Sequence, residues 1–396
     1  MTSVRLRSLF FVLGLGFSLI LHAGPAHSAD KELSIGFLAP LSGPVSFTGK
    51  TMLNASNMAI EKINSAGGIT VAGEKYRIKL VSYDTKYATE PARSAAERLL
   101  FEDKVKFIIG AISLDTLAFQ KVTESNKVII MPVGPAINPS PQNPYTFRIT
   151  TLLDAKDESL YKYLKTKMGH LNKVAFVNPD TPVGQNFAKM SSKAAKPLGF
   201  EEVASEFVAG GSSDFTPVLT KLLAKNPDII DLGATGGGSD SALLIKQSRE
   251  LGYKGLLVAA IGLQGNTLLQ VAGAQAMEGV VETGVLEDDP GVGAKYRDFA
   301  KEYKAQFPNL PFIDLVPETY DSVYYFLSFL NGQTSLDTTV LKDRYADYRW
   351  DGVFGETHYG GEKTFGIKRQ VVHPAFISQW KNGKPAVVEV VSPLVP

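Results

Sequence analysis

Residues 33–68 read LSIGFLAPLSGPVSFTGKTMLNASNMAIEKINSAGG, and this stretch decides the fold class. Residues 33–39 are an apolar run of strand length and strand composition. Pro40, Ser42, Gly43 and Pro44 form a turn cluster. Met52, Ala55, Met58, Ala59 and Ile63 then recur every three or four positions, the spacing of one helix face. Gly67 and Gly68 end the helix, where a left-handed cap costs glycine little. Residues 77–84 read as a second strand. A strand–loop–helix–strand unit of this kind builds open α/β sheets, which bind ligands at the loops leaving the carboxyl ends of their strands.

The alternation continues along the chain. Helices are expected at 90–103 and 116–126, and strands at 105–110 and 128–133. A Pro-rich loop, 135–144, precedes the stretch 145–150, and there the pattern restarts. Helices at 155–168, 184–198, 216–224, 240–251 and 267–272 alternate with strands at 173–178, 202–207, 228–234, 256–260 and 279–286. Strands separated by helices of this size imply parallel sheets covered on both faces. The restart near residue 150 indicates two doubly wound lobes. After residue 286 the pattern changes to successive helices at 291–307 and 317–330, with a third at 338–345. The tail reads as β-structure at 364–366 and 371–380, and Asn382-Gly383 signals a hairpin.

Residues 1–29 read as a targeting segment. Arg5 and Arg7 precede a 13-residue apolar run, 9–21, and small residues close it at Ser28-Ala29. A bilayer crossing needs roughly 20 apolar residues, so cleavage beside Ser28 or Ala29 is expected; a retained signal anchor is the alternative. The chain has no cysteine. That excludes disulfides, thiolate metal sites, a catalytic Cys and lipid attachment at an N-terminal Cys, so a soluble periplasmic chain is expected. The sequence has 41 Lys and Arg against 40 Asp and Glu. Losing residues 1–29 removes Arg5, Arg7 and no acid, which leaves 39 against 40. Without a basic stripe, nucleic acid is not an expected partner. No Walker A, HExxH or Gly-x-Ser-x-Gly pattern occurs, so neither a cofactor nor catalysis is expected.

Several stretches in order resemble one family. They are 35–49 (IGFLAPLSGPVSFTG), 59–68 (AIEKINSAGG), 80–84 (LVSYD), 107–110 (FIIG), 131–136, 147–150, 173–184, 250–253 and 271–279. Together they resemble the periplasmic substrate-binding proteins of ABC importers of the branched-chain amino-acid (leucine/isoleucine/valine-binding) type. The resemblance implies a type I periplasmic binding fold, with two doubly wound parallel-sheet lobes joined by a three-crossing hinge. It assigns 30–149 plus 286–353 to lobe one and 150–285 plus 354–396 to lobe two. It further implies a monomer that closes on a small ligand and hands it to a membrane permease. A sensor module of the same fold, and less readily a periplasmic hydrolase, remain as alternatives.

The resemblance also implies site positions. In lobe one, Thr48 falls where the family carries an aromatic before a glycine, with Phe47 beside it. Ser113, Leu114, Asp115 and Thr116 follow the third strand, where hydroxyl and backbone groups meet a ligand carboxylate. Asp115 reads as an amine partner or as a helix N-cap. Gly134 and Ala136 occupy the next loop. In lobe two, Val183 and Ala234, with Thr235 beside it, fall at aromatic positions, and Ile261 falls at the position of the acid that pairs with an ammonium group. An α-amino group buried without a carboxylate is costly. The expected ligand is therefore a carboxylate, with an aromatic or aliphatic body, that lacks an obligatory amino group. The run Gly236–Ser239 reads as an anion contact or a plain turn. His170, His358 and His373 lack metal-ligand spacing and read as surface or structural residues.

Overall fold

The computed structural model describes residues 31–43, 45–134, 137–235, 238–259, 265–284 and 288–392, without the side chains of Leu153, Ala234 and 265–267. Ala136 and Ile261 therefore lie outside the described residues, as do residues 1–30 and 236–237. Among the described residues no helix is long and apolar enough to cross a membrane.

The first sheet begins with β1 (Lys31–Ala39), helix α1 (Ser46–Ser65), β2 (Ile69–Val71) and β3 (Glu74–Asp84). It continues through α2 (Thr89–Phe101), β4 (Phe107–Ile112), α3 (Ser113–Ser125) and β5 (Ile129–Val133). The strand order is β2-β3-β1-β4-β5, parallel except for the β2–β3 hairpin. β1 sits at the centre because both its faces are apolar. Ile35, Phe37 and Ala39 enter one core with Met52, Ala55 and Ala59 of α1. Leu38 enters the opposite core with Ala92, Ala96 and Leu99 of α2. Burying each larger side chain contributes about 1.5–3 kcal/mol. Gly36 lets α2 close onto the sheet, since a Cβ there would meet Leu99 Cδ1 at 2.7 Å.

The second sheet follows with α4 (Leu153–Lys167), β6 (Lys173–Pro179), α5 (Pro182–Ala195), β7 (Glu201–Val208), α6 (Thr216–Leu223) and β8 (Ile229–Asp231). Then come α7 (Ser239–Glu250), β9 (Leu256–Ala259), α8 (Gly265–Val271), α9 (Ala274–Met277) and β10 (Val281–Thr283). Helices α10 (Ala294–Gln306), α11 (Leu315–Leu330) and α12 (Thr338–Ala346) return to the first core, where Phe326 meets Phe107 edge-on at 5.0 Å. A small antiparallel sheet is formed by β11 (Arg349–Gly352), β12 (Gly355–Gly360) and, after α13 (Glu362–Phe365), β13 (Gln370–Val372). β14 (Ala375–Lys381) and β15 (Lys384–Val391) then complete the second sheet, in the order β15-β14-β10-β9-β8-β6-β7. β6 to β10 are parallel, and β14 and β15 join antiparallel.

Three expectations for the tail and the late strands are corrected. Residues 364–366 are not β-structure: Thr364 and Phe365 belong to α13, bracketed by Gly361 at φ 107° and Gly366 at φ 71°. The stretch 371–380 is two strands in different sheets, divided at His373 and at Pro374, which has no N–H to donate. The strand expected at 279–286 spans only Val281–Thr283 among the described residues. The hairpin at Asn382-Gly383 is present, with φ 52° and 79° at its two turn residues. Tyr359 and Val371 still pack in the first core, whereas Ile377 and Trp380 pack in the cores of the second sheet.

Candidate functional site

Each sheet reverses its winding once. In the first sheet β3 lies on one side of β1 and β4 on the other, and in the second β7 and β8 flank β6 in the same way. The crevice at the carboxyl ends of such neighbouring strands is the binding edge of an open α/β sheet. The expected site loops leave these strands: 42–49 after β1, 113–116 after β4, 183–184 after β6 and 233–235 after β8.

The two leading loops share one construction. A Cβ on Gly49 would lie 2.1 Å from the Pro40 carbonyl oxygen, and a Cβ on Gly184 would lie 2.0 Å from that of Pro179. Only glycine lets the first turns of α1 and α5 pack over the strand ends. Asp84 pins the first loop by accepting from the Leu41 N–H at 2.8 Å and the Ser42 hydroxyl at 2.5 Å. Burial opposes its charge, but these donors and the Lys86 N–H hold its pKa below the ordinary value. Thr181 caps α5, its hydroxyl accepting from the Gly184 N–H at 3.1 Å. Phe47 and Val183, just ahead of these glycines, are 47% and 62% exposed, and Thr48 is half-buried.

The end of β4 carries backbone strain. Gly110 and Ala111 both have positive φ, 88° and 59°, and the β4–β5 register shifts between Ile109 and Ile112. A left-handed non-glycine residue costs about 1–3 kcal/mol and collects at functional sites. The bulge aims Ser113 toward Gly134, where a Cβ would fall 2.3 Å from Ser113 Oγ. The Gly134 N–H donates to Thr150 Oγ1 at 3.1 Å. Ser113, Gly134 and Thr150 therefore form one polar corner. Leu114 stands 51% exposed on the rim, beside Leu117 at 55%.

Asp115 is not the N-cap of its helix. The N-cap of α3 is Ile112, and Asp115 is fully buried in the first turn. Its carboxylate accepts from the Thr85 hydroxyl at 2.7 Å. Burial raises its pKa, against bonds from Thr85 and the Ile112 N–H, and the charge of Asp84 adds to the rise. Its carboxylate thus faces Thr85 inside the protein. Thr116 is likewise fully buried. In the second sheet, Ala234 and Thr235 lie in a single 3-10 turn, Gly233–Thr235. The Thr235 hydroxyl donates to the Leu232 carbonyl at 2.7 Å and lies 2.9 Å from Ser241 Oγ.

Where residues 148–152 run between the sheets, a cavity of about 830 Å³ opens. Arg148, Thr150, Thr151 and Asn138 form part of its wall, with the start of α4, the length of α5 and Phe365 of α13. Among the described residues, Val183 is the expected site residue that lines it. Arg148 is 1% exposed, bonds Gln370 Oε1 and Asn138 Oδ1, and lies over the Phe365 ring at 5.3 Å. Burial brings its pKa down to about 10, partly offset by the charge of Asp154. On the far side of this segment, the Thr151 N–H donates to Glu318 Oε1 at 3.1 Å, and Thr151 Oγ1 lies 2.6 Å from His373 Nε2. His373 Nδ1 lies 2.8 Å from the Pro374 carbonyl, which only accepts, so that nitrogen carries a proton. Phe354 stacks on the ring at 4.0 Å. His373 is thus structural, tying the 150–152 segment to α11 and to the segment leading into β14. Among the described residues no group of His, Asp and Glu is placed to hold a metal ion.

A family model for periplasmic binding proteins matches residues 32–385. The chain belongs to the periplasmic binding protein family. Leu/Ile/Val-binding protein homolog 3 of Brucella melitensis is 26% identical over 387 residues, covering 96% of this chain and 97% of the relative. An amino acid binding protein of Pseudomonas aeruginosa is 27% identical over 301 residues, 72% of this chain and 76% of that protein. The branched-chain amino acid transporter substrate-binding protein LivJ of Streptococcus pneumoniae, solved with isoleucine, superposes with a TM-score of 0.69 at 25% identity, covering 92% of this chain and all of that one. A putative branched-chain amino acid ABC transporter protein of Rhodospirillum rubrum superposes at 0.73 with 21% identity, over 90% and 100% of the two chains. The family's location is the periplasm, and its members are ligand-binding components.

In this binding protein, most residues of the cavity wall lie outside the loops expected from the sequence. Arg148, Asn138, Phe187, Met190 and Phe365 were not singled out as site residues. A lone arginine inside the otherwise apolar and hydroxylic run Phe147-Arg148-Ile149-Thr150 was the available signal.

Proposed function

We propose that the mature chain is the soluble periplasmic ligand-binding component of an ABC importer. In this reading it captures an amino acid or related small carboxylate between its lobes and delivers it to a membrane permease. The observation that carries the reading is the pair of switch-point edges, each built on a close-approach glycine, in a fold whose two sheets are crossed by the 148–152 segment beside a cavity. The names of the relatives favour a branched-chain amino acid, and LivJ was solved with isoleucine. The local residues favour a carboxylate without an obligatory amino group. Asp115 faces Thr85, and the corner of Ser113, Gly134 and Thr150 carries hydroxyl groups suited to an anion. We place the third crossing between the lobes at His373–Pro374, because Val371 packs in the first core and Ile377 in the second.

Calorimetry with leucine, valine and a panel of aromatic and aliphatic acids tests the reading. At a hundredfold excess over Kd, a ligand adds about 2.7 kcal/mol to stability, so a thermal scan gives an independent readout. Micromolar binding of a carboxylate, lost in Ser113→Ala, is the expected result, together with a smaller radius of gyration in solution scattering. Absence of binding by any amino acid or acid ends the proposal.

A further inference from the structure

We infer that the cavity beside α5 takes the apolar arm of an elongated monocarboxylate whose head lies at Arg148 and Thr150. The inference rests on reading the cleft as a carboxylate site, and it names the ligand class. The cavity is polar at the crossing, and along α5 its wall is mainly apolar, with Glu158, Asn186 and Lys193 also in it. Arg148, Thr150, Thr151 and Asn138 gather at the crossing. From there Val183, Phe187, Met190 and Ala194 follow at steps of four, three and four, one continuous face of α5. At about 1.5 Å per residue this face runs about 16 Å, some three helical turns, whereas a branched-chain amino acid spans roughly one. A volume of about 830 Å³ stands in the upper part of the ~300–1,000 Å³ range of small-molecule sites.

The charges suit one carboxylate at the crossing. The guanidinium of Arg148 is a buried cation in the cavity wall, held in place by Gln370 and Asn138, and its charge acts on the cavity. Gln370 accepts from Arg148 and donates to the Thr150 carbonyl at 2.8 Å, and Thr150 Oγ1 accepts from the Gly134 N–H, which connects that cation to the corner of Gly134 and Ser113. Of the two acids in the wall, Glu158 is paired with Lys162 at 2.6 Å, and Asp154 is the acid whose charge acts on Arg148. Lys193 is exposed toward the other end of α5. An anionic head thus meets Arg148 in company with Asp154, and the apolar residues of α5 take the arm behind it.

The test is calorimetry of the mature, full-length protein with straight-chain acids from butanoate to decanoate, beside leucine. Each methylene laid along α5 is expected to tighten binding about threefold to fourfold. Met190 is half-buried on the α5 surface, and Met190→Glu, which is expected to keep the parent melting temperature, should flatten that dependence on chain length. Leucine binding sensitive to Ser113→Ala, with no gain from longer acids, overturns this inference and leaves the cleft reading standing. An unchanged length dependence in Met190→Glu also overturns it. Failure of every acid and amino acid to bind overturns both.

Discussion

Asp321 gives the sharpest test of how burial near the crossings shapes the response of the protein to pH. It lies on α11, 3% exposed, and its two oxygens accept from the Val353 N–H at 3.0 and 2.8 Å. Burial dominates and lifts its pKa from 3.8 to about 7, against the pull of the Val353 and Phe354 N–H groups and the charges of His373 and Lys295. An acid whose pKa rises on folding binds more protons in the folded state. Its stabilising contribution is complete below about pH 4 and is lost as the pH climbs through about 7. A displacement from 3.8 to about 7 corresponds to about 4 kcal/mol. Asp321→Asn does not titrate and keeps one acceptor for Val353. The variant loses about 1 kcal/mol at low pH for the missing acceptor and gains on the parent by about 4 kcal/mol between about pH 4 and about pH 8. Urea denaturation of both proteins at the two pH values measures this. Asp231 and Asp157, also pushed upward by burial, titrate in parent and variant alike and cancel in the comparison. A stability difference that stays constant across that range refutes the reasoning.

Two further outcomes are expected. Gly134→Ala combines a φ of 105° with a Cβ 2.3 Å from Ser113 Oγ, so it should cost about 1–3 kcal/mol or more and weaken ligand binding; a denaturation midpoint equal to the parent's would show that the corner is not tight. N-terminal sequencing of the exported protein should begin near Ala29 or Asp30, and recovery with membranes after a salt wash would instead show a retained anchor.

The central parts of both sheets were legible because their signals are local. β1 and α1 declare themselves by apolar runs and by three-to-four spacing, which neighbours in sequence suffice to set. β2 was invisible: its turn is Ala72-Gly73, with φ 52° and 79°, and alanine is not the residue that announces such a turn. α13 is four residues long, too short to show a period. The bulge at Gly110-Ala111 leaves no mark in composition, because alanine tolerates the left-handed region only where its surroundings enforce it. Asp115 stood where either an N-cap or an amine partner would stand; the helix begins earlier, with Ile112 as its N-cap, and the bond to Thr85 joins residues thirty apart that no local rule connects. The cavity was the least legible part. Asn138, Arg148, Met190 and Phe365 come from four separate stretches, and no local rule connects them.

Because the chain leaves the first core after Ile149 and returns to it at Val292, neither sheet is a cassette that can be cut out whole. A fragment stopping at Gly284 would lack α10 and α11 over the first sheet and would leave β10 as a raw edge where β14 belongs. Exchanging lobes between relatives therefore requires cuts at every crossing, made together. The same interleaving sets an order of events. The contacts that finish each body join segments well over a hundred residues apart, and such closures are slow. The second sheet cannot be completed until β14 and β15, the last strands of the chain, are available.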